Sequence, residues 1–379
     1  MAPRPRRAMQ GCRRHPRSRN RATEPLRLHG GSQVMASRHW VAAVTLALAT
    51  LSVRAQQGSY PPGVTEEVHV AIQRGLQWLE KNQASDGSWR NSGGYGSYPA
   101  AMTGLAGMAF IASGSTPTRG RHWRAVRQSA NFLLKNADPG NGVISVPSEE
   151  GRSMYGHGFA TLYLASVYGM EEGLRKRQRL KRTLDKAVGL IASAQSTAGG
   201  WIYTPDSNSD EGSVTVTQIQ ALRACRMAGI VCNKKVVNKA VDYIKRCQNA
   251  DGSIRYSLRS GGDGRPAITA AGVAVLYNAG VYDDQPFVDA AVRYCKKHIK
   301  VSVDSTGHHY YAHLYWSQAL YQRGGQDWDE YYKQACRYFL KQQRKDGSWQ
   351  GDGVGMVYGT AIALTILQLP YAYAPIYQR

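Results

Sequence analysis

A short motif recurs four times along the chain, each time between a segment of amphipathic helical pattern and a segment of small apolar residues. Three copies, Gln83–Trp89, Gln248–Ile254 and Gln343–Trp349, contain the sequence Asp-Gly-Ser, and a degenerate fourth copy runs from Gln195 to Trp201. A repeat of about 50 residues indicates one structural unit that is used many times. The repeat therefore constrains the architecture more strongly than any single residue does.

The last unit shows how each repeat is built. Its first segment, residues 329–342, places apolar side chains at helical spacing and charged side chains between them, which is typical of a helix with one buried face. The Asp-Gly-Ser sequence then breaks the helix, because glycine permits a turn and the Asp and Ser side chains can bond back to the chain. The second segment, residues 356–369, is apolar on nearly every side and must be buried nearly all round.

The same alternation of an outer and an inner helix recurs six times. We predict the pairs 66–81 with 100–113, 122–136 with 155–168, 178–194 with 214–228, 234–247 with 268–279, 287–299 with 310–321, and 329–342 with 356–369. The fold class is therefore all-α. Because the terminal units also have apolar inner helices, we expect an (α/α)6 toroid, in which a ring of inner helices closes within a ring of outer ones. An open superhelix is the competing arrangement.

The motif between the paired helices resembles the repeat of the squalene-cyclase and protein-prenyltransferase superfamily, whose fold is the α/α toroid. The resemblance covers the chain from Glu66 onwards, and the C-terminal stretch is also similar to secreted bacterial prenyltransferase/squalene-oxidase repeat proteins. It implies that the Gln, Gly and aromatic residues of the motif bind outer and inner helices together. These residues are Gln83, Gly87, Trp89, Gln195, Gly200, Trp201, Gln248, Gly252, Gln343, Gly347 and Trp349.

The first 55 residues differ from the rest of the chain, because they hold eleven Arg and a single acid. Residues 1–34 have almost no apolar run, and we interpret them as a disordered basic extension upstream of a true start at Met35; a genuine basic arm is the alternative. Residues 35–55 combine a basic start, a short apolar run and small final residues, which is typical of a secretory signal peptide. We therefore expect residues 56–379 to form a single toroid domain that is exported to the periplasm or beyond the cell.

The charged residues and cysteines after residue 55 limit which partners and cross-links we expect. The clustered basic residues at 175–182 are typical of a solvated helix face, with weak contact to anionic envelope polymers as the alternative. We expect no nucleic-acid partner and no integral membrane segment after residue 55. Five cysteines follow residue 55, and in an oxidising compartment Cys232 could pair with Cys225 or Cys247.

The acidic motifs of the resembling superfamily are missing. Protonating cyclases use Asp-x-Asp-Asp, and the nearest candidates here are Asp210 and Glu211, where a carboxyl of raised pKa could donate a proton. A solvated turn that ends in Ser213 as a helix N-cap is the alternative. The Asp-x-Cys element of the prenyltransferase zinc site is replaced by Asp263-Gly-Arg265. We therefore predict no cofactor and no metal.

The best catalytic candidates are three histidines at the start of the fifth inner helix, His308, His309 and His313. His309 and His313 are four residues apart and share a helical face, but a metal site would need a third ligand. Aromatic or imidazole side chains near the ends of inner helices form a predicted ligand-binding collar: Tyr98, Tyr155, His157, Tyr203, Tyr310, Tyr311 and Tyr358. Such rings can stabilise cations or stack on apolar ligands and sugars, and they can equally be ordinary packing residues.

Three functions are compatible with these observations. The first is a cavity that binds, and could transform, an apolar isoprenoid-like molecule. The second is a non-catalytic envelope scaffold that binds protein with its end faces. The third is a polysaccharide-active enzyme that uses His and Tyr as base and acid, with Arg152, Arg259 and Arg265 as the available loop arginines. The missing catalytic motifs favour binding over cyclisation.

Overall fold

Helices alternate between an outer and an inner layer throughout the computed structural model, which describes residues 60–94, 96–281, 285–304 and 306–378. The outer helices are α1 (Glu66–Lys81), α3 (Trp123–Lys135), α5 (Leu174–Ser193), α7 (Lys234–Arg246), α9 (Gln285–His298) and α11 (Gly325–Gln342). The inner helices are α2 (Pro99–Ala112), α4 (Ser153–Met170), α6 (Gly212–Met227), α8 (Pro266–Ala279), α10 (His309–Arg323) and α12 (Met356–Leu367). Two short 3-10 helices, Leu369–Tyr371 and Pro375–Tyr377, follow. The predicted all-α class and the six pairs are confirmed.

The two layers differ in how their helices are buried. Outer helix α1 begins after Thr65, whose hydroxyl accepts a hydrogen bond from the Val68 N–H, and it buries one stripe that includes Ile72 and Leu79. Inner helix α2 is buried at every one of its 14 positions. A helix that is apolar all round can be stable only inside the protein, so α2 and its equivalents form the inner layer.

The inner ring is closed. Each inner helix packs against the next one in the chain, and the last, α12, packs against the first, α2. Outer helix α11 likewise contacts α1. The toroid prediction is therefore confirmed, and the open superhelix is excluded.

The repeated motif joins each unit to the following one. Gln343 Nε2 donates to Gly347 O within its own turn and to Ala71 O of α1, both at 2.9 Å. The other three glutamines bond in the same way to Ala125 O of α3, Val236 O of α7 and Phe287 O of α9. The fully buried Trp349 donates from Nε1 to Phe339 O at 2.7 Å. The structural role that the resemblance implies for this motif is thus confirmed.

Several predictions concern other parts of the chain. The basic extension and the signal peptide lie outside the described residues. Among the described helices, none combines the length and the apolar content needed to cross a bilayer. The five cysteines after residue 55 are free thiols, and Cys232 Sγ donates to Leu222 O and Ile230 O, both at 3.6 Å, so neither predicted pairing is formed.

Candidate functional site

A cavity of about 430 Å³ lies at the N-terminal ends of the inner helices, and all six of them contribute to its wall. Apolar side chains one to two turns inside the helices line its deeper part: Met102, Leu105, Phe159 and Leu314. Six tyrosines surround it at or near the helix starts: Tyr98, Tyr155, Tyr203, Tyr256, Tyr311 and Tyr358. The cavity is therefore apolar inside and rimmed by hydroxyl-bearing aromatic rings.

Five of the predicted collar tyrosines line this cavity, namely Tyr98, Tyr155, Tyr203, Tyr311 and Tyr358, and so does His308. Sequence reasoning missed Tyr256. It follows the motif copy Gln248–Ile254 by two residues, as Tyr203 follows the copy Gln195–Trp201, so the spacing of the repeat could have predicted it. Tyr98 also has a left-handed backbone, with φ of 41°, and such strain in a residue other than glycine is frequent at functional sites.

Four other predicted residues lie on the opposite side of the inner helices. Tyr310 packs on Phe339 of α11 with ring centroids 5.7 Å apart, and His309 packs on Tyr338 of the same helix at 4.8 Å. The other two are His157 and His313, which are fully buried between the inner and outer rings. Consecutive helical residues differ by about 100° in direction, so neighbours in sequence need not share a face. Of the three clustered histidines, only His308 lines the cavity.

His157 and His313 take the place of a threonine found in the other units. In the four units with the motif, a threonine near the start of the inner helix accepts the backbone N–H of the motif's last residue, as Thr360 does from Trp349 at 3.0 Å. In the second unit, His157 Nδ1 accepts the Ile144 N–H at 3.1 Å, and Nε2 donates to Ala187 O of α5 at 3.2 Å. Both ring nitrogens of His157 are therefore committed to holding helices together.

His313 makes the corresponding connection in the fifth unit. Its Nε2 lies 3.4 Å from Lys300 O in the preceding loop, and its Nδ1 lies 3.0 Å from the Tyr331 hydroxyl of α11. Burial lowers the pKa of His313 to about 3 and that of His157 to about 4, so both rings are neutral at physiological pH. Among the described residues, no three His, Cys, Asp or Glu side chains are grouped to bind a metal, so His309 and His313 have no third ligand there.

The two acidic candidates are buried beside the cavity and do not line it. Glu211 is the N-cap of α6, and its carboxylate accepts hydrogen bonds from the N–H groups of Ser213 and Val214. The predicted alternative of a Ser213 N-cap is therefore wrong. Glu211 is the residue before the helix, and its side chain extends forward to the N–H groups of the first turn. Asp210 packs near Tyr243 of outer helix α7 and faces away from the cavity.

Hydroxyl groups connect Glu211 to the cavity rim. Ser213 Oγ donates to Glu211 at 2.7 Å, so the Tyr155 hydroxyl, which also contacts Ser213 Oγ, is the donor in that second bond. The Tyr203 and Tyr256 hydroxyls bond to each other. Burial raises the pKa of Glu211, whereas these donors and Tyr256 favour its charged form. Burial also raises the pKa of Tyr155 and Tyr256, which therefore stay protonated.

Comparisons with known proteins agree on the fold. No family profile matches the chain. The ligand-free type II terpene cyclase MstE from Scytonema is similar, with 17% identity and a TM-score of 0.55 over 82% of this chain and 98% of that chain. A protein from Actinoplanes has 20% identity and a TM-score of 0.52 over 81% and 99% of the two chains.

A carbohydrate enzyme has the same architecture. An inactive variant of the alpha-1,6-mannanase GH76A of Salegentibacter, in complex with alpha-1,6-mannotriose, has 8% identity and a TM-score of 0.58 over 82% of this chain and 99% of that chain. At these identities the likeness shows the fold alone. The protein is an α/α toroid, the fold that the resemblance implies, and its activity has to be argued from its own cavity.

Proposed function

We propose that the central cavity binds an apolar, isoprenoid-like molecule. The observation that carries the proposal is the cavity of about 430 Å³, with Leu105, Phe159 and Leu314 in its wall and tyrosines at its rim. Small-molecule sites typically measure about 300–1,000 Å³ and combine apolar walls with a few polar groups. A flexible hydrocarbon chain fits such a lining, because burying it removes apolar surface from water on both partners.

The similarity to MstE supports this ligand class. MstE structures contain geranylgeranyl dihydroxybenzoate as substrate and merosterolic acid A as product. An isoprenoid chain is therefore accommodated by a toroid with the same arrangement of helices. The signal-peptide pattern at residues 35–55 leads us to place the binding function in the cell envelope.

The cavity wall favours binding over glycoside hydrolysis. Glycosidases of most families use two carboxyl groups that flank the scissile bond. No Asp or Glu is among the described residues that line the cavity. The buried Glu211 and the half-buried Asp352 accept backbone N–H groups at the starts of α6 and α10 instead. We therefore assign Glu211 to the support of a binding site and the six tyrosines that line the cavity to its rim.

Titration of the purified protein with farnesol and geranylgeraniol, followed by tryptophan fluorescence, tests the proposal. We expect saturable binding that the variant Leu105→Trp weakens at least tenfold, because a larger ring at this position fills the cavity. Met102→Phe is a second filling variant, in case the first unfolds. Val70→Trp, on the exposed face of α1, is the matched control and should bind as the wild type does.

The other two functions predict different results. Release of reducing sugar from mannan or another polysaccharide, with no binding of either alcohol, would support the carbohydrate-active alternative. Absence of binding to both alcohols and to oligosaccharides would favour the envelope scaffold. Binding that Leu105→Trp and Met102→Phe leave unchanged in folded protein would place the ligand outside the cavity.

A further inference from the structure

We infer that the ligand of this cavity carries an oxyanion head group, a carboxylate or a phosphate, which Arg152 and Arg265 hold at the mouth. The inference rests on the proposed function, since it specifies the polar end of a molecule whose apolar part occupies the cavity. Both arginines line the mouth, and both side chains are exposed there.

The position of the two arginines in their helices is the first observation. Arg152 is the N-cap residue of α4 and Arg265 is the N-cap residue of α8, and neither side chain caps its helix. Helix N-termini favour negative charge and N-caps favour Ser, Thr, Asp or Asn, so a cation in this position opposes helix stability. Neither α4 nor α8 has an acidic residue in its first turn to offset it. A bound anion would neutralise the unfavourable charge at both helix ends.

Three other inner helices around the same mouth show the usual arrangement. The Glu150 carboxylate accepts the Ala100 N–H at the start of α2, and Glu211 caps α6. Asp352 accepts the N–H groups of Tyr310 and Tyr311 at the start of α10, at 2.9 and 3.1 Å. These three carboxylates are thus used by backbone donors. Among the described residues, no Asp or Glu forms an ion pair with Arg152 or Arg265.

Each of the two guanidinium groups stacks on an aromatic ring of the rim. The guanidinium carbon of Arg152 lies 4.4 Å from the centroid of the Tyr203 ring, and that of Arg265 lies 4.2 Å from the centroid of the Tyr256 ring. The hydroxyls of these two tyrosines bond to each other, so both stacked pairs belong to one part of the rim. Stacking engages the flat face of a guanidinium and leaves its N–H edges available for a planar, two-point contact with a carboxylate or phosphate.

The backbone at the start of α6 supports this arrangement. The Gly212 N–H donates to Tyr256 O at 2.6 Å, which ties Tyr256 to this helix end and, through the bond between the two hydroxyls, the Tyr203 ring. The rings on which both arginines stack are therefore fixed before a ligand arrives, and this preorganisation lowers the entropy lost on binding. The expected ligand is an amphipathic anion, with its chain toward Leu105 and its head at Arg152 and Arg265.

Matched pairs of ligands test the inference with the full-length protein. Farnesyl phosphate against farnesol, and hexadecanoic acid against hexadecanol, differ in the head group alone. We expect at least one of the two anions to bind at least tenfold more tightly than its own alcohol. The pair with the larger preference shows whether the site takes a phosphate or a carboxylate head. In the double variant R152M/R265M this preference should disappear, whereas the affinity for the alcohol should stay within twofold, because Met retains an apolar stem.

The control variant is Arg177→Met. Arg177 stacks on Tyr168 at 5.4 Å, the same kind of pair, but neither residue lines the cavity. It should retain the preference for the anion. Since both cavity arginines oppose the helix dipoles, the ligand-free double variant should melt no lower than the wild type, which shows that lost binding is not lost folding.

The outcomes separate the inference from the function on which it rests. Equal affinity for anion and alcohol overturns the oxyanion site and leaves the apolar cavity standing. An equal loss of both ligands in R152M/R265M also overturns it, because the arginines then only pack the rim. A loss of preference in Arg177→Met as large as in the double variant would mean that general surface charge attracts the anion. Failure of all four ligands to bind the wild type overturns the proposed function itself.

Discussion

The two faces of the inner helices carry similar residue types and use them differently. On α4, Tyr155 lies on the face toward the cavity, which we call the cavity face, and His157 lies on the face toward the outer ring, which we call the seam face. The His157 ring has both nitrogens bonded to backbone groups, whereas the Tyr155 hydroxyl belongs to a network that ends at the rim. The seam uses polar groups to hold helices together, and the cavity presents them to a ligand.

A comparison of equivalent positions in the six repeat units shows this difference. On the seam face the same helical position holds Thr103, His157, Thr215, Thr269, His313 and Thr360, and each of these side chains hydrogen-bonds a backbone group of the segment before its helix. The N-cap residues of the six inner helices, by contrast, have no common chemistry: they are Tyr98, Arg152, Glu211, Arg265, His308 and Gly355. A requirement shared by all units is structural, so the positions that differ from unit to unit are the ones to examine for function.

The largest expected effect belongs to the seam. Replacing Trp349, which is fully buried between α11 and α12, by Ala should lower the free energy of unfolding by about 3–5 kcal/mol, because it removes a large ring and leaves a cavity. Urea denaturation measures this loss. Trp123→Ala is the control, since that ring is 37% exposed, and it should change stability far less. If the two variants were equally stable, Trp349 would not be packed as the structure has it.

Acid should destabilise the seam through its two buried histidines. The folded-state pKa of His157 is about 4 and that of His313 about 3, whereas an unfolded histidine titrates near about 6.5. The unfolded chain therefore binds more protons below pH 6.5. Stability is fully present above that pH and is lost as pH falls toward the folded values, by about 2 kcal/mol per histidine at pH 5.

Glutamine at these positions can hydrogen-bond but cannot take up a proton. We expect His157→Gln and His313→Gln to show a weaker loss of stability between pH 7.5 and pH 5 than the wild type shows, measured by urea denaturation at both values. Trp123→Ala, which removes no titratable group, is the control and should leave the pH dependence unchanged. An unaltered pH dependence in the double variant would mean that these rings are hydrated and titrate normally.

Much of the architecture was predictable because the residues of the motif make the same contacts in each unit that contains it. Gln343 and Trp349 recur at fixed spacing since each unit must bond its own turn and the next outer helix, and the apolar terminal units indicated closure. The orientation of the inner helices was not predictable. Helix α10 is buried almost all round, so no polar stripe distinguishes Tyr310, on the seam, from Tyr311, in the cavity.

The arginines at the mouth were named from the sequence as loop arginines, but nothing in the sequence marked them as helix N-caps. Arg152 and Arg265 stand out only when their positions as helix N-caps are known, and the predicted starts of α4 and α8 were two residues too late for that. Tyr256 was within reach of sequence reasoning, since it occupies the same register after its motif as Tyr203. Helix boundaries are the least reliable part of a sequence-based prediction, and here they concealed the N-cap positions of the two arginines.

A smaller seam effect concerns the closure of the ring. Gly347 has φ of +94°, and a Cβ there would lie 2.7 Å from Arg74 O of α1. Gly347→Ala should therefore destabilise the protein by at least about 1 kcal/mol, because the backbone is strained and the first and last units must separate. Gly189→Ala on α5 is the matched control, since nothing lies within 4 Å of its added Cβ, and it should be neutral or slightly stabilising. Thermal melts compare the two, and equal shifts would rule out a special role for the closing turn.

The smallest effect on stability belongs to the cavity face. Tyr155→Phe removes one hydroxyl at the rim, and the expected loss is under about 1 kcal/mol, because Ser213 Oγ keeps its bond to Glu211. The same variant should alter ligand affinity measurably, whereas His157→Gln, two residues further along α4, should leave affinity unchanged at pH 7.5. Measuring the free energy of unfolding and the ligand affinity in both variants compares the two faces of a single helix. If Tyr155→Phe changed stability alone, or His157→Gln changed affinity alone, the division of the inner helices into a structural and a functional face would be wrong.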